Sequence, residues 1–374
     1  MMPWQKDAEA GILALVRKKQ KPRGRGQKSV HPDDLGEFEL ISRLTHGLVT
    51  RPDVLLGVGD DAALLDPGPG ALIVATCDSQ VEGRHFLRHL ATPHEIGHKA
   101  LAVNLSDIAA MGAEPLWALV SLLLPPALDV AMLDGIYAGM NALAQRFDVA
   151  IVGGNVSGTD GPLVLDVTLL GRVRRGGELR RSGARPGDRL LVTGVLGAAA
   201  AGVLALITEP AGPQVPQTAL DGARAAMTAP EPRVAEGRAL ARTGVVTAML
   251  DISDGFAADL GHLCMASGVG AVIEASAIPV ATEARQIAVA YGRDPVSLAL
   301  AGGEDYQLLF AVRPGDVELA RVAVAAAGGI AHDVGTVTEA DLGLRLQLPD
   351  GVQQPLEPRG WDHMRDSGDR PLGK

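Results

Sequence analysis

A chain of 374 residues is long for a single core and suits two domains, and 47% hydrophobic against 21% charged residues is the balance of a globular protein. The best apolar run, ALVSLLLPPAL, is cut by two prolines and falls short of the roughly 18 residues a membrane span needs, so we expect a soluble protein. A formal charge of −10 with only 3% aromatic residues argues against non-specific nucleic-acid binding, which draws on positive surface and rings for stacking.

The charge is unevenly spread. Residues 1–30 hold eight Lys/Arg and two Asp/Glu, a net +6, which leaves −16 on the remainder. The stretch AGILALV precedes its basic residues, so the N-terminus does not read as a secretory signal. RKKQKPRGRGQKS has no hydrophobic period, and residues 1–36 are expected to form a basic, solvated tail. GEFELISRLTHGL then opens a first domain over 37–175 with helical spacing. A strand DVLLGVG carries the adjacent Asp60 and Asp61, the turn DPGPG follows, and ALIVATCD, Ala71 to Asp78, reads as a second strand.

From His94 to Met111 the spacing predicts a helix with Asp107 well inside it. PLWALVSLLLP and VAIVGGN read as buried strands flanking a helix, LDGIYAGMNALAQRF, and GPLVLDVTLLGRV as one more strand. VGGN, Val152 to Asn155, reads as a turn after its strand, where Gly153 and Gly154 could bring backbone N–H groups to a phosphate. The second domain, 176–364, starts with strand, glycine turn and helix in RLLVTGVLGAAAAGVLAL. Residues 208–221, with three prolines, read as a surface insertion. MLDISDGFAADLGHLCMASG, LALAGGEDYQLLFAV and a helix DVELARVAVAAAG follow, with a short tail at 365–374. The fold class is α/β or α+β in two halves.

Carboxylates recur beside aliphatic residues: Asp60, Asp61, Asp78, Asp107, Asp251, Asp254, Glu304 and Asp305. Singly, each would pass as a helix cap or turn residue. Together they need another account, since a buried carboxylate costs several kcal/mol without a cation beside it, and Lys99 is the clearest embedded cation. Mg²⁺ answers the need, because it prefers oxygen ligands and binds through one or two carboxylates plus substrate phosphates. No Cys/His spacing suits zinc, no Walker-A motif is present, and DPGPG leaves no room for the helix that a dinucleotide reading of GVGDDA requires. Two cysteines, Cys77 and Cys264, fit a reducing compartment and a cytoplasmic protein.

The ordered series GEFELI, GVGDDAALL, TCDSQVEGRHF, KALAVNLSDIAAMGAEP, VGGN, LRRSGARPGD, LDISDGFAADLGH, AGGEDYQLLF and GWDHM resembles the thiamine-monophosphate kinase family, of the aminoimidazole-ribonucleotide synthetase and selenophosphate synthetase superfamily. The resemblance implies a two-domain PurM-like fold, a homodimer joined through first-domain sheets, and ATP-dependent phosphorylation of thiamine monophosphate with several Mg²⁺ ions and no covalent nucleophile. It implies metal ligation by Asp61, Thr76, Cys77 through its carbonyl, Asp78, Asp107, Asn155, Asp251 and Asp254. Gly154, Arg181 and Ser253 would touch ATP, and His85, Glu304 and Trp361 the thiamine phosphate. Asn155 stands where the family often has Asp, which removes one charge from a metal site. Two other readings stay open on sequence: a different ATP-using enzyme of the superfamily, or a catalytically weak ATP and Mg²⁺ binding protein.

Overall fold

The computed structural model describes residues 43–49, 51–56, 64–65, 68, 70–209 and 212–358, with 54–56 and 64–65 described by backbone alone. Asp60, Asp61, Trp361, the basic tail and the start of the first expected helix lie outside these residues.

A short antiparallel pair, β1 (Val54–Leu56) and β2 (Leu64–Leu65), precedes a four-stranded sheet of β3 (Ala71–Val81), β4 (Glu114–Leu124), β5 (Ala150–Gly158) and β6 (Val164–Arg174). Its order is β3-β6-β4-β5, antiparallel except for the parallel β4–β5 pair. Helix α1 (Pro93–Ala110) connects β3 to β4, and α2 (Val130–Arg146) connects β4 to β5. The second half builds a seven-stranded sheet, in spatial order β13 (Gln353–Pro355), β12 (Leu344–Gln347), β9 (Gly270–Glu274), β11 (Ala331–Thr338), β7 (Arg189–Thr193), β10 (Gln307–Val312) and β8 (Val246–Ile252). Its helices are α3 (Ala198–Val203), α4 (Gln217–Thr228), α5 (Val234–Thr243), α6 (Phe256–Ser267), α7 (Thr282–Ala290), α8 (Pro295–Ala301) and α9 (Val317–Ala326). No helix among the described residues is long and apolar enough to cross a membrane.

Helix α1 organises the molecule. The sequence TPHE is a capping box: Thr92 Oγ1 accepts the Glu95 N–H at 3.2 Å, Glu95 Oε2 accepts the Thr92 N–H at 2.8 Å, and Pro93 takes the first turn. Beyond the cap, ALAVNLSDIAA is apolar nearly all round, the pattern of a helix enclosed on every side. One side of α1 meets Leu165, Val167 and Leu169 of β6; the same core continues into Leu308, Phe310 and Val312 of β10 and Leu240 of α5. Helix α2 lies against α1 because Gly97 lets the backbones touch: a Cβ there would sit 1.8 Å from Ile136 O. Strand β10 is buried on both faces, with Leu309 and Ala311 turned to a second core that includes Phe256, Leu260 and Leu263 of α6. A third, alanine-rich cluster joins α3, α4 and α7.

Two expectations need correction. Val152–Asn155 is not a turn, since β5 runs through it to Gly158. Gly154 serves close strand approach, because a Cβ there would lie 1.7 Å from Val120 O of β4. The 208–221 stretch is only partly a surface insertion, because α4 begins at Gln217 and buries Ala219 and Ala223. Its apolar positions are alanines, too small to announce a helical face in the sequence.

Candidate active site

Where α1 passes between the two halves it forms the wall of a cleft of about 820 Å³. Thr76, Asp78 and Gln80 alternate along β3 and so share the face turned to α1, while Cys77 and Ser79 are exposed on the other. On α1, Lys99, Val103 and Asp107 recur every fourth residue and all line the cleft. Eight residues at the helical rise separate Lys99 from Asp107 by about 12 Å, which gives the cleft two chemically distinct ends.

The Asp107 end is acidic. Asp107 Oδ2 accepts the Thr76 hydroxyl at 2.5 Å, and Asp251 Oδ2 accepts the Ser106 hydroxyl at 2.7 Å. Asp251 comes from β8, the edge strand of the large sheet, and is 2% exposed. Burial, followed by the charge of Asp107, drives both Asp78 and Asp251 far above the usual carboxylate range. Among the described residues no Lys or Arg forms an ion pair with Asp78, Asp107, Asp251 or Asp254. The carboxylates of Asp78, Asp107 and Asp251 are oxygen donors that suit a hard divalent cation, and Asp254 also stands in a group with Asp259 and His262 whose donor atoms lie within 4.8 Å of one another.

After β8 the chain turns through Ser253, Asp254 and Gly255 into α6. Asp259 shapes that turn, its Oδ2 accepting the N–H groups of Asp254 and Gly255, each at 3.1 Å. Burial, then the charge of Asp254, raises Asp259 to about 7.

The Lys99 end is built differently. Lys99, 3% exposed, donates to Glu304 Oε1 at 2.6 Å and to His85 O at 2.8 Å. His85 is oriented in turn, its Nδ1 accepting the Val81 N–H at 2.9 Å. Glu304 belongs to the loop Gly302–Tyr306, where Glu304 and Tyr306 are both left-handed, at φ +66° and +48°. Beyond His85 the wall becomes apolar, with Leu87, Leu90, Ile207 and Met227, and the exposed Arg84 and Arg181 stand at the margin.

The cleft therefore gathers Thr76, Cys77, Asp78, His85, Asp107, Arg181, Asp251, Ser253, Asp254 and Glu304 from the sequence-derived set. The Cys77 thiol points to the opposite sheet face, toward Asp166 at 3.1 Å, which leaves its backbone for the cleft. Gly154 and Asn155 do not line the cleft. They lie on β5, three strands from β3, Gly154 in the cross-strand row Asp78, Val167, Val120, Gly154 and Asn155 in the next row, Ser79, Asp166, Ser121, Asn155. Sequence reasoning passed over Ser106, Tyr306 and Arg84. Ser106 directly precedes Asp107 and Arg84 directly precedes His85, so adjacency was the available signal. Tyr306 offered none, because its direction depends on a left-handed backbone.

The chain matches the AIR synthase related protein families, with the N-terminal domain over residues 59–173 and the C-terminal domain over 185–347. It is 35% identical to the thiamine-monophosphate kinase of Bacillus subtilis (strain 168) over 331 residues, 88% of this chain and 100% of that one. The crystal structure of thiamine-monophosphate kinase from Stenotrophomonas maltophilia K279a superposes with a TM-score of 0.74 at 36% identity, covering 85% of this chain and 97% of that chain. A structure described as AaThiL complexed with AMPPCP and TMP superposes at 0.69 with 32% identity, covering 90% and 100%. In fold and in sequence along most of its length, the chain belongs to the thiamine-monophosphate kinase family.

Proposed function

We propose that the protein transfers the γ-phosphoryl group of ATP to thiamine monophosphate, giving thiamine diphosphate and ADP by direct in-line displacement. The observation that carries this reading is the two-ended cleft: unpaired carboxylates from both halves at one end, and Lys99, His85 and Glu304 beside an apolar wall at the other. Phosphoryl transfer asks a protein mainly to position two anions and offset their charge, and neither end supplies or needs a covalent nucleophile.

Asp78, Asp107, Asp251 and Asp254, with Thr76, the Cys77 carbonyl, Asp61 and Asn155, would hold Mg²⁺. Bound there, the cation would neutralise charge on the phosphates. Thr76 and Ser106 fix the directions of the Asp107 and Asp251 carboxylates. Arg181 and Ser253 would meet the nucleotide. His85, Glu304 and Trp361 would meet the thiamine phosphate. In this reading residues 37–175 carry metal and nucleotide binding and dimerisation, and 176–364 complete the cleft.

The homodimer reading is supported by part of the outer face of the four-stranded sheet, which is apolar and exposed among the described residues, although Trp117, Ala150 and Val152 elsewhere on that face are buried. Ile73 is 47% exposed there, and Leu119 and Leu123 lie on the same face. Such a patch on a sheet suits an association surface. Gly154 and Asn155 would then serve a nucleotide from the β5 edge of one protomer toward its partner. The exposed free thiol of Cys77 suits a reducing compartment and supports a cytoplasmic setting.

The test is direct: purified protein, thiamine monophosphate, ATP and Mg²⁺, with thiamine diphosphate separated and quantified. Its formation supports the reading; ATP consumption only with some other acceptor would refute it.

A further inference from the structure

Tyr306 occupies a position that the metal seat and the Lys99 end both face. The loop around it is pinned at three points. The Glu304 N–H donates to Ser253 O and the Tyr306 N–H to Ile252 O, each at 2.8 Å, and the Asp305 carboxylate accepts the Gly197 N–H at 2.9 and 3.0 Å. Together they hold Tyr306 at φ +48°, a costly conformation for a bulky side chain that persists only when its surroundings over-determine it. The result is a ring that lines the cleft while only 8% exposed. Among the described residues the Tyr306 hydroxyl makes no hydrogen bond, and it is not one of the fully buried orphaned polar atoms, so a ring that is otherwise buried leaves its O–H within reach of the cleft. A phenol is protonated at neutral pH and can donate.

We propose that Tyr306 is a catalytic hydrogen-bond donor, its O–H directed at a non-bridging oxygen of the phosphoryl group in transit. The inference rests on the kinase reading above. In that reaction an oxygen of the acceptor's phosphate monoester forms the new P–O bond. The bond from the γ-phosphorus to its bridging oxygen breaks, and the electron pair leaves with ADP. A monoester dianion has no proton to give up, so no base is required, and the difficulty is repulsion between anions inside an acid-lined cleft. A neutral donor relieves that repulsion while adding no charge and taking no proton.

The experiment compares Tyr306→Phe with the wild type on thiamine monophosphate, ATP and Mg²⁺. The expected result is a fall in kcat of about 10- to 100-fold with KM for ATP within about twofold, the pattern of a lost transition-state donor. The melting midpoint should move by less than about 2 °C, since no protein hydrogen bond is lost. Tyr306→4-aminophenylalanine, which keeps a neutral para donor, should recover much of the rate. An unchanged kcat in Tyr306→Phe overturns the inference and leaves the kinase reading intact, and so does a loss of rate matched by a large loss of melting temperature. A wild type that makes no thiamine diphosphate overturns the kinase reading and the inference with it.

Discussion

Lys99 Nζ lies 2.6 Å from Glu304 Oε1, joining the central helix of the first domain to the left-handed loop of the second. The partners are unequally placed: the Lys99 side chain is 3% exposed and that of Glu304 28%. Removing one charge of such a pair costs most when the charge left behind cannot reach water. Glu304→Gln, which strands the buried ammonium, should therefore destabilise by about 3 kcal/mol, and Lys99→Met, which leaves a carboxylate able to hydrate, by about 1 kcal/mol. Urea denaturation of the two variants checks the order, and a Lys99→Met variant less stable than Glu304→Gln would contradict it. Both should raise KM for thiamine monophosphate more than KM for ATP.

The acid cluster sets a pH dependence for metal-free protein. Asp259 rises from 3.8 to about 7, and Asp78 and Asp251 shift the same way. A raised carboxylate binds its proton more tightly in the folded state. Its stabilising contribution is complete below the unfolded value near 4 and is lost as pH climbs through the folded value. Between pH 4 and 7 the melting midpoint in chelator should fall, and added Mg²⁺ should restore most at the upper end. Glu95 acts elsewhere on the scale: burial would raise it, but the Arg224 and Thr92 hydrogen bonds outweigh that and hold it at about 2. Its contribution is lost only as pH drops from about 4.5 toward 2. Scanning calorimetry against pH, with and without Mg²⁺, distinguishes these windows, and a midpoint that rises from pH 4 to 7 in chelator would refute the cluster's assignment.

Gly154→Ala tests the corrected reading of β5. A Cβ 1.7 Å from Val120 O forces the β4–β5 pair apart, an overpacking that should cost about 1–3 kcal/mol. A variant as stable as the wild type would mean that the strands are looser than described. Asn155→Asp introduces no such clash, and under the dimer reading it should strengthen Mg²⁺-dependent nucleotide binding rather than stability.

How far the sequence led depends on which physics each feature obeys. The α1 helix was legible because the spacing of its apolar residues is a local signal, and the carboxylates stood out because they interrupt aliphatic runs. That Asp107 and Asp251 meet was not legible, since 144 residues separate them and only the packing of α1 against β8 joins them. Val152–Asn155 misled because Gly-Gly signals a turn, whereas here the missing side chain admits a neighbouring strand. Tyr306 was missed for the converse reason, being an ordinary aromatic residue made unusual by its backbone.

The outer sheet face gives a prediction about assembly. Leu123→Glu or Ile73→Glu places a charge in the exposed apolar patch without touching the cleft. Sedimentation should show a dimer for the wild type and a monomer for the variants at micromolar concentration. A wild type that sediments as a monomer would remove the basis for Gly154 and Asn155 acting across protomers.

The most direct measurement is the initial rate of thiamine diphosphate formation against Mg²⁺ concentration, for wild type and Asp107→Asn side by side. The account predicts no product in chelator, a rate that saturates with Mg²⁺ in the wild type, and a loss of at least about 100-fold in the variant, the scale expected when electrostatic support for a transferring phosphoryl group is removed. Product formed without divalent cation, or an Asp107→Asn enzyme as fast as the wild type, would contradict it.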